Sequence, residues 1–166
     1  SQYENVSSVK VMGVEGEVSY NYSDVLRILF NCSYQDARDM NKYKEDGKPS
    51  ITYNNKLPNR PWLFSNVEVD YYFKNVLKKE DKLKLSYYYQ YVHWFYLTWE
   101  AYGSLEGKSK IPTQHLHNAV ISYSWDRERY NLSVGCNNLF DRELYDNFML
   151  QKPGRSFFVK FRLFIN

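Results

Sequence analysis

His115 and His117 stand two residues apart in a segment with strand-like alternation, so both rings can face one way and offer a metal two imidazoles. No third ligand lies nearby in sequence, and no metal site is expected. Asp36, Asp39, Asn41, Glu45 and Asp46 crowd a polar stretch around Gly47. A calcium loop needs carboxylates at alternating positions and a closing bidentate Glu, and that spacing is not met. Ser, His and Asp all occur, but without a Gly-x-Ser-x-Gly elbow or any spacing that favours a triad, so no enzyme and no cofactor is expected. Cys32 and Cys136 lie far apart inside patterned segments and read as small hydrophobes. The most pointed feature is the run from Tyr91 to Tyr102, Tyr-Val-His-Trp-Phe-Tyr-Leu-Thr-Trp-Glu-Ala-Tyr. Its Trp94, Tyr96, Trp99, Glu100 and Tyr102 are the candidate ligand-binding residues, because aromatic faces can stack on a sugar ring, a macrocycle or a siderophore's aromatic groups.

These residues sit in a chain of 166 residues with 19% aromatic and 25% charged side chains, a mean hydropathy of -0.66 and a net charge of +3. So many rings exclude a disordered chain. The absence of any run of about 20 apolar residues excludes spanning helices, and a small, scattered positive charge gives no reason to expect nucleic acid. The period is 2 almost throughout, the mark of strands with two unlike faces. Seven segments show it: 13–22, 26–35, 66–73, 82–99, 118–125, 130–137 and 157–165. Val9 and Val11 are out of phase with Val14, which predicts a β-bulge near Gly13. Short connections (22–25, 74–81, 126–129) alternate with long polar ones (36–61, 100–114, 140–155), as outer-membrane barrels alternate periplasmic turns with outer loops. With short turns in the periplasm, Tyr20, Tyr22, Tyr71, Phe73, Tyr123, Trp125 and Tyr130 fall at one depth on the outer face, where an aromatic girdle in contact with outer-membrane lipid belongs. The segment 82–99 exceeds the about 9 to 11 residues that cross a bilayer, so its upper part should stand above the membrane, with Trp94 and Tyr96 facing the lumen.

Seven strands leave two open edges, which a bilayer does not tolerate, so the barrel must be completed by further sequence. Asn138-Leu139-Phe140-Asp141, Tyr145-Asp146-Asn147, and Pro153-Gly154-Arg155-Ser156-Phe157-Phe158 before a closing alternation resemble the C-terminal signature of TonB-dependent outer-membrane receptors. Gly13-Val14-Glu15, Tyr34-Gln35-Asp36-Ala37-Arg38-Asp39, Leu57-Pro58-Asn59-Arg60-Pro61 and Ile111-Pro112 are similar to further family positions, and the Lys-rich, Tyr-rich strands resemble receptors of the Bacteroides group. The family's closing aromatic residue is replaced by Ile165, with Asn166 after it. The resemblance implies that residues 1–166 are one all-β, antiparallel transmembrane segment, about seven C-terminal strands of a barrel of roughly 22. It implies a bacterial outer-membrane location and uptake of a scarce nutrient: a ferric siderophore, haem, cobalamin or a glycan. The implied partners are the remaining barrel strands, the plug domain, and the TonB system through that plug. Within this resemblance Arg155 is a residue that leads into the last strand rather than a ligand clamp. The alternatives are an unrelated structural or adhesive outer-membrane barrel, and a soluble aromatic-rich sugar-binding sandwich; the girdle argues against the sandwich.

Overall fold

The computed structural model describes residues 8–102 and 110–165. The strands are β1 (Val9–Tyr22), β2 (Leu26–Asp39), β3 (Leu63–Lys74), β4 (Lys82–Val92), β5 (Phe95–Tyr96), β6 (Lys110–Ile111), β7 (Gln114–Trp125), β8 (Tyr130–Asn137) and β9 (Ser156–Leu163), with a 3₁₀ turn at Glu100–Tyr102. Seven of them form one antiparallel sheet in the order β1-β2-β3-β4-β7-β8-β9, and β5 pairs with β6 separately. Every neighbour in the large sheet is the next long strand in sequence, a meander that places the three short turns at one end and the three long connections at the other.

The register turns alternation into two continuous faces. One row runs Tyr22, Leu26, Tyr71, Leu85, Ile121, Val134, Val159, and the next runs Tyr20, Ile28, Val69, Tyr87, Ala119, Cys136, Phe157. Between these rows lie Asn21, Arg27, Asp70, Ser86, Val120, Gly135 and Phe158, which belong to the polar face. Nothing in the described chain covers the apolar face: Ile121 on central β7 is 54% exposed and Leu132 on β8 39%. Among the described residues the buried apolar side chains are few, and Phe95, Ile111 and Leu144 lie in the loop end rather than under the sheet. A soluble sheet would bury its apolar face against a second layer. This one keeps it outward, which is the arrangement of a barrel wall.

The short turns are built from left-handed residues and internal hydrogen bonds. Asp126, Arg127 and Glu128 have φ of 52°, 53° and 66°, and Ser23 has φ of 50°. The turn between β3 and β4 is organised by Asp81, which is almost fully buried. Its carboxylate accepts from the amides of Val76 (2.6 Å), Leu77 (2.8 Å) and Lys78 (2.8 Å), and from the Tyr123 hydroxyl (2.6 Å). Burial opposes ionisation, but the Tyr123 hydroxyl and the amides outweigh it and hold Asp81 at about 2. A lowered value means that the ionised carboxylate's contribution is complete above the ordinary carboxylate range and is lost only as the pH falls toward about 2.

Two expectations are corrected. Pairing runs straight through Gly13, with Gly13 opposite Gln35 and Val14 opposite Tyr34, so there is no bulge. Instead the backbones approach so closely that a β-carbon on Gly13 would lie 2.6 Å from the Tyr34 carbonyl oxygen. Val9 and Val11 simply share the Glu15 face at the loop end, beyond the length that alternation must serve. The segment 82–99 is also not one strand. Val92 pairs with Gln114 and Phe95 with Ile111, which is one continuous register, yet the ladder lapses between them where Pro112 has no N–H to give. The Trp94 amide turns to Thr113 Oγ1 (3.2 Å) instead.

Gly135 supports the β8–β9 edge, since a β-carbon there would meet Phe158 Cζ at 2.3 Å. The ring lies over the bare backbone. Gly135→Val is expected to destabilise the intact protein by about 1 to 3 kcal/mol through overpacking. Phe158→Ala should remove most of that penalty, read as non-additivity in the midpoint of heat-induced loss of compact electrophoretic migration.

Candidate functional site

The loop end is held together by a small number of polar side chains. Asn59, with φ of 59°, donates its backbone amide to the Tyr96 carbonyl at 2.7 Å. Its side-chain amide, with the nitrogen turned toward them, reaches the carbonyls of Leu97 and Asn147, both at 2.8 Å. One residue therefore ties the connections 40–62, 93–113 and 138–155 to one another. Asp39, almost fully buried, organises the first of these: it accepts from the Asn41 amide (2.8 Å) and the Thr52 hydroxyl (2.6 Å). Asp36 pairs with Arg38 at 2.7 Å, and Asp46 accepts the Lys48 amide at 3.1 Å. The acidic stretch is thus spent on loop structure, and among the described residues no group of three His, Cys, Asp or Glu gathers as for a metal.

The aromatic run leads to a cluster that includes a residue the sequence reading did not single out. Trp62 packs edge-on against His93 (4.5 Å between centroids), Trp94 (6.1 Å) and Tyr34 (6.0 Å), and Trp94 packs edge-on against Tyr96 (5.4 Å). Two ammonium groups lie over the rings: Lys56 at 4.3 Å from Trp62, and Lys110 at 4.3 Å from Trp94. The Trp62 indole N–H is buried without a hydrogen-bond acceptor. Tyr96 donates to Glu100 at 3.1 Å, while Trp99 and Tyr102 close the 3₁₀ turn through the Tyr102 amide and the Trp99 carbonyl (2.9 Å). Of the five candidates, then, Trp94 and Tyr96 join the cluster directly, Glu100 joins through Tyr96, and Trp99 and Tyr102 form the adjoining turn. Trp62 was legible only as an alternation partner of Asn66, just after Pro61.

The Asn-Leu-Phe-Asp and Pro-Gly-Arg motifs prove to be two halves of one staple. Asn138, almost fully buried with φ of 51°, receives the Arg142 amide (2.9 Å) and donates to the Arg142 carbonyl (2.8 Å), while its own amide binds the Asn118 side chain (2.9 Å). The Leu139 amide reaches the His117 carbonyl at 2.7 Å, and the Phe140 ring meets His117 edge-on at 4.8 Å. Asp141 accepts the Arg155 amide at 2.7 Å, with the Arg155 guanidinium 3.8 Å from its other oxygen. A β-carbon on Gly154 would lie 2.8 Å from Asp141, so only glycine leaves room for that carboxylate. Pro153 precedes it.

The polar face carries its own ladder. Asn66 links Asn31 (2.8 Å) and Gln90 (3.1 Å) across three strands. Ser122 bonds Ser133 at 2.8 Å, and Asn131 bonds Ser124 at 2.8 Å. Asp70, fully buried, binds Lys84 (2.9 Å) and Ser86 (2.6 Å). On the apolar face at the turn end, Tyr123, Trp125 and Tyr130 stack at 5.5 and 5.4 Å, Tyr71 meets Phe73 at 4.7 Å, and Tyr20 and Tyr22 stand exposed on β1.

An apolar outside, a hydrogen-bonded polar inside and two open edges describe a barrel wall without naming it. A family model described as TonB dependent receptor-like, beta-barrel matches residues 1–139. The chain belongs to the TonB-dependent receptor family. No curated protein matches it. Most of the Asn138–Asp141 and Pro153–Arg155 staple lies beyond the matched range, so family membership rests on the strands before it. Receptors of this family sit in the outer membrane and serve nutrient uptake as transporters, not enzymes. In an outer-membrane barrel of this kind an apolar face meets lipid and a polar face lines the lumen.

Asn59→Gly keeps the left-handed backbone and removes the side-chain amide. It is expected to raise hydrogen-exchange rates in segments 93–102 and 144–152 of the intact receptor by about fivefold to tenfold, as two bonds worth about 1 kcal/mol each are lost. Exchange in β4 and β7 should be unchanged.

Proposed function

We propose that these residues form the last strands and outer loops of a TonB-dependent receptor that takes up a scarce nutrient. The observation that carries this reading is the seven-stranded wall with one uncovered apolar face, one hydrogen-bonded polar face and open edges at β1 and β9. In the reading, further strands close the barrel at those edges to a total of roughly 22, a plug domain fills the lumen, and the periplasmic TonB system acts through the plug. The aromatic residues at the turn end serve as the periplasmic girdle.

The loop cluster of Trp62, Trp94 and Tyr96 is the ligand surface in this account. Rigid rings offer stacking area at low conformational cost. The Lys56 and Lys110 ammonium groups favour an anionic ligand, such as a ferric siderophore or the carboxylates of haem, over a neutral glycan. Glu100 holds Tyr96 in place through its hydroxyl.

Growth of cells carrying the intact receptor should be tested on each nutrient class as the limiting source. Trp94→Ala is expected to lower affinity for the nutrient that supports growth by more than tenfold. Unchanged affinity, with correct outer-membrane insertion, would return Trp94 to loop packing.

A further inference from the structure

All three histidines of the chain belong to one stripe on the lipid face. His117 lies opposite Tyr89 and His115 opposite Tyr91 across the β4–β7 ladder, and His93 continues the stripe beside Leu63. The hydrogen bonds run diagonally. Tyr87 Oη meets His117 Nδ1 at 2.6 Å, Tyr89 Oη meets His115 Nδ1 at 2.9 Å, and Tyr91 Oη meets His93 Nδ1. Ring contacts of 4.9 Å (Tyr89 with His117) and 5.4 Å (Tyr91 with His115) hold the ladder side by side.

The depth of this stripe follows from strand geometry. His115 is ten positions from the girdle residue Trp125 along β7, about 33 Å of strand, which at a tilt of about 40° rises about 25 Å. That is the height of the apolar band of an outer-membrane barrel. The stripe therefore runs from the upper edge of that band at His117 into the outer-leaflet headgroups at His115 and His93. The stacked girdle at the opposite end, Tyr123, Trp125 and Tyr130, has no histidine, so an interfacial belt alone does not call for one.

We propose that the Tyr–His stripe and Arg142 form a binding site for the phosphate-bearing headgroup of an outer-leaflet lipid, an inference that rests on the outer-membrane receptor reading. A phenol is a far stronger acid than a neutral imidazole, so each tyrosine hydroxyl donates to Nδ1. This sets the tautomer with the proton on Nε2, and the three rings present a row of N–H donors. Beside them lies a cavity of about 870 Å³ lined by Thr113, His115, His117, Phe140 and Arg142 together with the carboxylates of Asp141 and Glu143. Those two carboxylates are engaged, Asp141 by Arg155 and Glu143 by the Tyr145 hydroxyl at 3.1 Å. No ion pair among the described residues takes Arg142, which leaves its guanidinium as the cation for an incoming phosphate. Thr113 adds a hydroxyl, and Phe140 supplies an apolar wall toward the acyl chains.

The test uses the intact receptor in maltoside detergent, with bound lipid counted by native mass spectrometry. The probes are dioleoyl phosphatidic acid, dioleoylglycerol and inorganic phosphate. The wild type is expected to retain phosphatidic acid at least tenfold better than dioleoylglycerol, without displacement by millimolar inorganic phosphate. The double variant His115→Phe and His117→Phe keeps two rings in the belt and removes their N–H donors; its preference should fall below twofold, and Arg142→Gln should lower it as well. Absence of a preference in the wild type, or an equal preference in the double variant, would overturn the proposal and leave an aromatic belt only. Displacement by inorganic phosphate would overturn it in favour of a free-anion site. Nutrient uptake by the same cells separates this outcome from failure of the receptor reading, because uptake should persist in the double variant.

Discussion

Hydrocarbon offers no hydrogen bonds, so every backbone amide and carbonyl at membrane depth must find its partner within the protein. This one constraint accounts for the meander. Each of the five inner strands is satisfied on both sides by its sequence neighbours, which leaves side chains free to divide strictly between lipid and lumen. A slip of β3 by one residue against β2 and β4 would turn Asn66 away from Asn31 and Gln90 toward lipid and bring Val67 and Tyr71 into the lumen. Polar pairing inside and apolar rows outside therefore enforce the same register. The unpaired edges of β1 and β9 are the places where the constraint is unmet within these residues, and the closing strands belong there.

Outside the hydrocarbon the requirement relaxes, and the chain changes character at that height. Alternation fades above Val14 in β1, and the β4–β7 ladder lapses at Pro112. Loop order is then supplied by side chains that imitate strand partners: Asp39 and Asn138 gather backbone amides, Asp141 anchors the start of β9, and Asn59 spans three connections. The ligand surface proposed on these loops is held by hydrogen bonds that can open locally, unlike the wall beneath it.

The wall was largely legible in the sequence because period 2 is written residue by residue. The seven segments, the alternation of short and long connections, and the faces of Val67, Tyr71, Tyr123 and Leu132 could be read directly. The two misreadings share a cause. Alternation at Gly13 and along 82–99 describes one strand alone, whereas pairing depends on the partner: the Tyr34 carbonyl pressing on Gly13, and Pro112 withholding a donor from the strand opposite. The same reasoning explains why Trp62 and Asn59 escaped notice as functional residues. Their importance lies in which loops they join, and loop proximity has no periodicity. The motif residues Asn138, Asp141 and Gly154 were found as a pattern, but their role as one staple needed coordinates.

The central claim is that residues of β4 and β7 alternate between lipid and lumen at every position. Spin labels placed singly at residues 118–123 of the cysteine-free intact receptor in lipid vesicles test it most directly. The account predicts high oxygen collision rates at 119, 121 and 123 and low ones at 118, 120 and 122, with a water-soluble nickel chelate excluded from the odd positions. Uniform oxygen access along the strand, or access of the chelate to position 121, would contradict it.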